Sequence, residues 1–351
     1  MTQIDSNVPP PSTEKKVAAR ARKKRVAAKT NGAADLMKSL QFVMAAQKPV
    51  GTPYQTHCII NNHWCVAFDE LLTIGCKVQE DIVACPHTTS FASALAKCGE
   101  TLAITQLNES AISIKSDRFK ATIKCARFED MPISAPDPPA IEANDEIKKA
   151  FALLAWPLLD SSTTAAWKGA IYLQSNTAVA CNGMVLLEYW HGLPLPAGVL
   201  IPKTSAIAIA KCDKKLVALG GSESSVTFYF EDESFIKTQL LKDNYPNYGV
   251  IFDQIPEDLT LLPNDFFAAV EAVKDFTESG FIYLRGDRLQ SHRDDGLGAS
   301  YEINGVPNGF SFNPEFLKSA QPHFFNTVFF DNRVKFSNDR IRGVIMGSND
   351  T

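Results

Sequence analysis

Apolar and polar residues follow a regular pattern between residues 88 and 125. Phe91 and Leu95 recur at the spacing of one helix face, which predicts a helix at the start of this segment. Two later stretches, 102–105 and 112–114, alternate apolar with polar residues, as strands with one buried face do. The segment therefore predicts a helix followed by a hairpin of antiparallel strands.

The same pattern occurs three times along the chain. A second copy occupies residues 204–238, and its Ala-Lys-Cys tripeptide at 210–212 repeats the one at 96–98. A third, looser copy runs over residues 313–346. A further amphipathic helix opens each unit, at residues 34–48, 146–159 and 265–276. The unit recurs at a spacing of roughly 110 residues, well above the spacing of solenoid repeats.

Repeated units of this size predict three similar globular domains rather than a stack of small repeats. Each unit combines two helices with antiparallel strands, so the predicted fold class is α+β. Residues 130–145 are rich in proline and acidic residues and predict the first linker. The predicted organisation is a disordered basic arm at 1–32 and domains at 33–135, 136–252 and 253–351.

The composition is that of a globular protein with ample core, since 45% of the 351 residues are hydrophobic. No secretory signal opens the sequence, and no apolar run is long enough to cross a bilayer. The eight cysteines show neither a CxxC motif nor the spacing of a disulfide framework. We therefore expect reduced, mostly buried thiols and a cytoplasmic protein.

The net charge of −4 conceals a split between the arm and the rest of the chain. Residues 1–32 carry eight basic and two acidic side chains, so the remainder, with 27 basic and 37 acidic residues, has a charge of −10. The arm either holds DNA through its phosphates, acts as a solubilising tail, or serves as a localisation signal. Any binding of nucleic acid by the acidic body requires its positive charge to be concentrated on one surface.

Four short motifs, in their order and spacing, resemble those of a known family. ACNGMVL at 180–186 stands where bacterial-type sliding clamps carry Ala-Thr-Asp-Gly-x-Arg-Leu. VLIP at 199–202 is similar to the clamp segment before the second helix, and NYPNY at 244–248 to the linker into the last domain. VIM at 344–346 resembles the terminal Val-Val-Met strand. The chain thus resembles the beta subunit of bacterial-type DNA polymerase III, the DNA sliding clamp, over residues 34–346.

The resemblance implies a DNA-clamp fold that acts without catalytic chemistry, cofactor or metal. Two chains of three domains form a closed ring in this family, as a homodimer with helices around the hole and sheets outside. Double-stranded DNA passes through without sequence preference, the replicative DNA polymerase is held on the ring, and a clamp loader opens it. The divergent motifs and short domains favour a viral copy, such as a phage-encoded one, acting at the replisome in its host's cytoplasm.

Lysines on the six predicted helices are the candidates for contact with DNA. A ring that slides needs diffuse attraction to phosphates rather than contacts with bases. As a set, these lysines predict a positive lining within an acidic body, although each one alone equally fits a solvated helix face. The set is Lys38, Lys48, Lys97, Lys148, Lys149, Lys211 and Lys318.

The family's partner-binding groove lies between the second and third domains and holds a short peptide with bulky anchors. Carried over by position, it comprises Trp167, Cys181, Gly183, Met184, Val185, Leu186, Pro246, Val250, Ile251, Val344 and Met346.

This chain departs from the family's groove at several positions. Val185 stands where the family has a basic residue and Asn182 where it has an aspartate, while residues 347–351 replace a terminal Pro-x-Arg-Leu. We therefore expect a more apolar groove with an altered peptide preference. Ala165 and Ala166 stand where two tyrosines often touch DNA, so the resemblance does not carry that contact to this chain.

Ring closure requires two different surfaces on each protomer. The resemblance implies that the strand at residues 119–125 meets the first helix and strand of the third domain, with Phe119 and Ile123 against Val273 and Phe276. The apolar pattern alone equally fits ordinary core for all four residues.

Three other functions compete with the clamp. His292-Arg293-Asp294 is similar to part of a kinase catalytic loop but lacks the companion motifs, so we interpret it as a polar strand and turn. A monomeric clamp-like adaptor that binds peptides and carries a DNA-binding arm remains the alternative to a ring. A zinc site would draw on a cluster in the first domain without CxxC-like spacing, for which buried reduced thiols are the simpler interpretation. Its members are His57, Cys58, His63, Cys65, Cys76, Cys85 and His87.

Overall fold

The computed structural model describes residues 26–28, 32–99, 101–132, 134–160, 165–196, 198–253, 259–294 and 296–348. Most of the basic arm predicted at residues 1–32 lies outside the described residues. No described helix is both long enough and apolar enough to cross a membrane.

The described residues form short helices joined by antiparallel strands. The helices are α1 Gly32–Val43, α2 Pro53–Thr56, α3 Thr88–Leu95, α4 Glu146–Leu154, α5 Lys203–Lys211, α6 Gly249–Asp253, α7 Phe266–Lys274 and α8 Pro314–Ala320. The strands are β1 Val26–Ala28, β2 Ile59–Asn61, β3 Trp64–Phe68, β4 Leu72–Lys77, β5 Cys85–Pro86, β6 Leu102–Asn108, β7 Ala111–Ser116, β8 Phe119–Ala126, β9 Pro139–Glu142, β10 Ala170–Leu173, β11 Thr177–Cys181, β12 Val185–Trp190, β13 Val199–Pro202, β14 Leu216–Gly221, β15 Ser225–Phe230, β16 Phe235–Gln239, β17 Ile282–Arg285, β18 Arg288–Gln290, β19 Ser300–Glu302, β20 Asn308–Phe312, β21 Asn326–Phe330, β22 Arg333–Ser337 and β23 Ile341–Met346.

The helices of the three predicted repeats pack in pairs, α1 with α3, α4 with α5, and α7 with α8. In each repeat the second helix is followed by a strand hairpin, as the pattern of apolar residues predicts. The helices are shorter than predicted at their ends. α4 stops at Leu154 rather than residue 159 because Pro157 has no backbone N–H to continue the hydrogen-bond ladder.

The first helix of the third repeat begins one residue later than predicted. The sequence predicts Asn264 as its N-cap, but Asp265 occupies that position and makes no capping hydrogen bond with its side chain. The backbone supplies the cap instead, since the N–H of Phe266 donates to the carbonyl of Pro263. Asn313 does cap α8, because its side-chain oxygen accepts hydrogen bonds from the backbone N–H groups of two residues in the first turn.

The chain divides into two compact units, Met1–Asp145 with Cys212–Leu240, and Glu146–Lys211 with Leu241–Thr351. These units do not follow the predicted domain boundaries, which remain a prediction. The reason is sheet continuity: within the first unit, β16 of the middle repeat pairs along its length with β4 of the first repeat.

The first unit contains two antiparallel sheets. One has the strand order β1-β6-β7-β8-β5 and the other β2-β3-β4-β16-β15-β14-β9. Leu36 and Leu40 of α1, Phe91 of α3 and Phe228 of β15 are fully buried or nearly so, and they supply much of the core. The alternation that predicts β6 and β7 thus reflects a real buried face.

Three residues of the predicted arm form β1, which pairs antiparallel with β6. This differs from the disorder predicted for all of residues 1–32. Backbone hydrogen bonding explains the difference, because β6 would otherwise be an open edge of its sheet. Composition could not reveal this strand, because strand pairing is made by main-chain groups that nearly every residue carries.

The predicted linker at 130–145 is anchored to the first unit by a buried polar cluster. The hydroxyls of Ser225 and Thr227 each donate to the Asp137 carboxylate at 2.9 Å. The ammonium of Lys237 lies 3.5 Å from the same carboxylate and donates to the carbonyl of Ala135 at 2.6 Å. All four of these polar side chains are buried. The linker also supplies β9 as an edge strand beside β14, so it is a structural part of the sheet.

The second unit also contains two antiparallel sheets. One has the order β13-β10-β11-β12-β23-β22-β21 and the other β19-β18-β17-β20. α4 packs against β11 and β12 of the larger sheet. Successive side chains of a strand lie on opposite faces, so β12 and β23 carry two sets of side chains, one of them on the helix-bearing face.

Candidate functional site

An apolar cluster covers part of the larger sheet of the second unit, on the face opposite to α4. In the strand register, Cys181 of β11 lies beside Leu186 of β12, and Leu186 lies beside Val344 of β23. These three side chains, together with Val179 and Phe252, form the buried part of the cluster. The row across three strands joins residues that are far apart in the sequence.

Aromatic side chains pack on this row and partly cover it. The rings of Tyr172 and Tyr245 stack with centroids 4.7 Å apart. Trp167 and Tyr248 each meet Tyr245 edge-on, at 5.9 and 6.0 Å. Such ring pairs add stability beyond the apolar area they bury. We refer to Trp167, Tyr172, Tyr245, Tyr248 and Phe252 as the aromatic cover.

A hydrogen-bonded chain fixes one side of the aromatic cover. The hydroxyl of Tyr248 donates to the buried carboxylate of Glu188 at 2.9 Å and accepts a hydrogen bond from Gln174. Arg342 donates to the same carboxylate at 2.6 Å and lies 4.0 Å from the centre of the Phe252 ring. Burial, and then the Glu188 charge, raise the pKa of Tyr248 to about 12. This hydroxyl therefore remains protonated and donates its hydrogen at neutral pH.

A tight turn forms the other side of the cluster. Gly183 has φ +95°, a conformation that glycine adopts without strain. The Asn182 side-chain oxygen accepts hydrogen bonds from the N–H groups of Met184 and Val185, both at 2.8 Å. Its amide nitrogen donates to the carbonyl of Pro157 at 2.9 Å. The asparagine amide can donate this hydrogen bond to the segment that follows α4, whereas an ionised aspartate has no N–H to donate. This difference explains why asparagine fits the position where the clamp family has aspartate.

The residues predicted to line the groove divide into three groups by exposure. Cys181, Val185, Leu186 and Val344 are buried. Trp167, Ile251 and Met346 are partly buried. The exposed members are Gly183, Met184, Pro246 and Val250. The cluster brings together five of the eleven, namely Trp167, Cys181, Leu186, Ile251 and Val344.

Val185 differs from the predicted groove position. It is 1% exposed and lies on the same face of β12 as Leu187 and Tyr189, opposite to Leu186. The Tyr189 hydroxyl donates to Glu146 of α4, so this face of the strand packs against the helix. Val185 is therefore part of the core beneath the groove and not of its surface.

Sequence reasoning missed most of the aromatic cover. Residues 244–248 resemble a clamp linker, and the prediction took only Pro246 from them as a groove residue. Tyr245 and Tyr248 in fact pack into the cluster. Two tyrosines three residues apart in a supposed linker were a usable signal, because exposed linkers rarely carry closely spaced large aromatic residues.

The candidate DNA-contacting lysines differ in their charge environment. Lys149 pairs with Glu146 at 2.6 Å and Lys318 with Glu271 at 2.5 Å. Of the remaining five, Lys148 is half-buried. The other four are exposed, and none of them forms an ion pair within the described part of the chain. These four are Lys38, Lys48, Lys97 and Lys211.

Two of these four lysines lie just outside the helices to which they were assigned. Lys48 follows the 3₁₀ turn after α1, and Lys97 lies in the turn after α3. Both positions are at C-terminal helix ends, where a positive charge is favoured by the helix dipole. Lys211 is the last residue of α5.

The four predicted interface residues are not equally accessible. Phe276 is 56% exposed and Phe119 is partly buried, whereas Ile123 and Val273 are buried within the chain. Ile123 and Val273 therefore contribute to the core of their own units, because little of their surface is left for a second chain. β8 itself pairs with β7 along its length but with β5 only at its last two residues. The rest of its outer edge, around Phe119, has no strand partner among the described residues.

The thiol and histidine cluster of the first unit forms no metal site within the described ranges. Burial raises the pKa of Cys76 to about 11 and that of Cys85 to about 12, so both remain thiols at neutral pH. His57 and His87 meet edge-on, with ring centroids 5.1 Å apart. His292 bonds to the neighbouring Ser291 hydroxyl within a bend, as expected for a polar turn.

No protein-family model matches the sequence, and no curated protein matches it significantly. Solved structures do match its fold. The DnaN sliding clamp (DNA polymerase III subunit beta) of Bartonella birtlesii, bound to griselimycin, superposes with a TM-score of 0.76 at 17% identity, over 93% of this chain and 100% of that one. The DNA polymerase sliding clamp of Bacillus subtilis gives 0.75 at 16% identity, over 92% and 99%.

A third match is the DNA polymerase III subunit beta of Pseudomonas aeruginosa, with a TM-score of 0.75 at 13% identity, over 90% of this chain and 98% of that one. The chain therefore has the sliding-clamp fold, which confirms the predicted fold class. Because the identities are low, the likeness establishes the fold and leaves the activity to be argued from the site.

Proposed function

We propose that this chain is a DNA sliding clamp, two copies of which close into a ring around double-stranded DNA and hold a replicative polymerase on it. The observation that carries the proposal is the extent of the likeness, which covers nearly all of the solved clamps rather than one domain of them. A fold that closes a ring needs every domain, and a likeness over 99–100% of the solved clamps supports a counterpart for each. Clamp action needs no catalytic residue, because the ring retains DNA by its topology.

The unpaired lysines support contact with the DNA backbone. Lys38, Lys48, Lys97 and Lys211 are exposed at helix faces or ends and have no acidic partner among the described residues. An ammonium without a partner is free to replace counterions on phosphates, whereas Lys149 and Lys318 must first leave a carboxylate. We therefore assign most of the DNA attraction to the four unpaired lysines.

Changing these four lysines to glutamine should make binding to short duplex DNA less dependent on salt. Each phosphate contact contributes about 0.9 to the slope of log affinity against log salt concentration, so the slope should fall by about 0.9 for each lysine in contact. Fluorescence anisotropy across a salt series measures this slope. The double change of Lys149 and Lys318 to glutamine is the matched control and should alter it much less. An equal fall in slope per substituted lysine in the two sets would contradict the assignment.

The apolar cluster supports a partner-binding role for the second unit. Met184, which follows the Gly183 turn, and Val250, which precedes Ile251 in the chain, expose apolar side chains. Exposed apolar surface next to a partly buried aromatic cluster is the chemistry that accepts bulky peptide anchors. The matching clamp from Bartonella birtlesii is one that binds griselimycin. We propose that the polymerase and the clamp loader present short peptides to this groove, at the replisome in the cytoplasm.

A further inference from the structure

Lys168 stands at the edge of the candidate groove, although its sequence position gave no reason to assign it there. It follows Trp167 in the 3₁₀ turn Ala166–Gly169. Its ammonium lies 5.5 Å from the centre of the Trp167 ring and 3.6 Å from the point where a Cβ of residue 183 would stand. Because Gly183 has no side chain, the ammonium occupies the space above the turn.

The backbone holds Lys168 in this place. Its N–H donates to the carbonyl of Ala165, and its own carbonyl accepts a hydrogen bond from the N–H of Leu159 at 2.9 Å. Its charge is close enough to Cys181 to oppose the effect of burial, which raises the pKa of that thiol. The backbone of Lys168 is thus held in place, and its ammonium lies near the Cys181 thiol of the buried row.

The Lys168 side chain is only partly exposed and forms no ion pair with any described residue. A partly desolvated ammonium without a carboxylate partner is a favourable site for an incoming anion, since a charge-assisted hydrogen bond is stronger than a neutral one. Val185, where the sequence comparison expects the groove's positive charge, is buried on the opposite face of β12. Lys168 restores a positive charge to the groove from a different element.

The turn beneath the ammonium favours a side-chain carboxylate over the carboxyl terminus of a peptide. A terminal carboxylate is commonly captured by several free backbone N–H groups. Here the N–H groups of Met184 and Val185 already donate to Asn182, and that of Gly183 donates to the Cys181 sulfur. A single ammonium remains, which suits one aspartate or glutamate side chain.

We propose that Lys168 makes the groove select peptides that carry an aspartate or glutamate next to their apolar anchor. The inference rests on the proposed function, because it assigns a preference to the same partner-binding groove. It adds a preference for an acidic residue to the expectation of a more apolar groove with an altered peptide preference.

Selection from a library of random octapeptides, displayed between fixed Gly-Ser linkers, tests the proposal on the full-length chain. The linkers remove the terminal carboxylate as a source of charge. Peptides that bind the wild-type chain but not a Val250→Arg variant define the groove binders, since Val250 is an exposed groove residue. Groove binders should be enriched in aspartate or glutamate, and those selected on Lys168→Glu should be enriched in lysine or arginine instead.

A pair of peptides from the wild-type pool, differing by one Glu→Gln change, supplies the quantitative test. The change should weaken binding to the wild-type chain about 10-fold, the effect expected for a hydrogen bond to a charged group. It should weaken binding to Lys168→Met less than about twofold, while Lys168→Arg should retain the wild-type preference. Lys168→Met should melt at the wild-type temperature, because the side chain has no ion partner to lose.

The failure of this inference and that of the proposed groove are distinguishable. Groove-dependent peptides without acidic enrichment, or an equal cost of Glu→Gln in Lys168→Met, would overturn the role of Lys168 and leave the groove intact. A library that yields no binders sensitive to Val250→Arg would overturn the groove, and the role of Lys168 with it.

Discussion

Replacing Phe119 and Phe276 by aspartate should convert a dimer of this chain into a monomer at micromolar concentration. Aromatic residues at the centre of an interface commonly contribute about 2 kcal/mol or more each. A head-to-tail ring of two chains contains two copies of the same interface, so every substitution acts twice. We therefore expect the dissociation constant to rise by at least about 100-fold. Sedimentation velocity over a concentration series measures this change.

The exposure of the four candidate residues decides which variants are informative. Phe276 is more than half exposed, so a charge there should leave the fold intact, whereas the same change at Val273, which is fully buried, would unfold the unit. Leu261→Asp is the matched control, because Leu261 is 90% exposed and lies outside the predicted interface. A dimer that survives both phenylalanine changes would show that the ring, if formed, closes elsewhere.

Asp137→Ala should lower the free energy of unfolding of the chain by about 3–5 kcal/mol, the cost of leaving a buried charge without its partner. Lys237 is 8% exposed, and its ammonium would lose its only carboxylate among the described residues. The hydroxyls of Ser225 and Thr227 would lose their acceptor as well. Urea denaturation followed by circular dichroism measures the change.

Two further variants separate the buried pair from a general charge effect. Lys77 pairs with Glu233 on the surface of the same unit, where both side chains are exposed, so Lys77→Ala should leave stability close to the wild-type value. Combining Asp137→Ala with Lys237→Met should cost less than the sum of the single changes, because neither charge is then left alone. Strictly additive losses would mean that the two side chains are not coupled.

The repeat made the architecture predictable. Periodic apolar residues indicate α3, and alternation of apolar and polar residues indicates β6 and β7. The recurrence of this helix and hairpin then indicates the corresponding helices and hairpins of the second and third repeats. Element ends were less predictable, since Lys48 and Lys97 lie beyond the last helical turn of their segments. Apolar periodicity reports which face of a helix is buried and carries little information on where its hydrogen bonds end.

Long-range main-chain pairing was the part that sequence reasoning could not supply. Residues 139–142 belong to a proline-rich, acidic segment that is typical of a linker, yet they form β9 beside β14. Proline is tolerated in such an edge strand, because its missing N–H costs no ladder bond on the open side. Val26–Ala28 likewise pair with β6 as an antiparallel strand.

The sequence motifs contain the buried apolar row of the candidate groove, but they indicate neither most of the aromatic cover nor the positive charge of Lys168. The motifs at 180–186 and 344–346 contain Cys181, Leu186 and Val344, which the strand register brings side by side. Their part in peptide binding remains a prediction. The sequence is sufficient to exclude Val185 from the groove surface, because adjacent residues of a strand, here Val185 and Leu186, lie on opposite faces. The position of Lys168 was not, because it depends on the packing of a 3₁₀ turn above Gly183.

Retention on a closed circle tests most directly whether the chain encircles DNA. The full-length chain is incubated with a linear plasmid, onto whose free ends a ring can thread without a loader, and the ends are then joined by ligase. The circular product is separated by gel filtration at a salt concentration that abolishes binding to short duplexes. We predict that the chain elutes with the circle and is released when a single cut makes the plasmid linear, because topology rather than charge retains it. Absence from the circle, or equal binding to the circular and linear forms, would contradict the account.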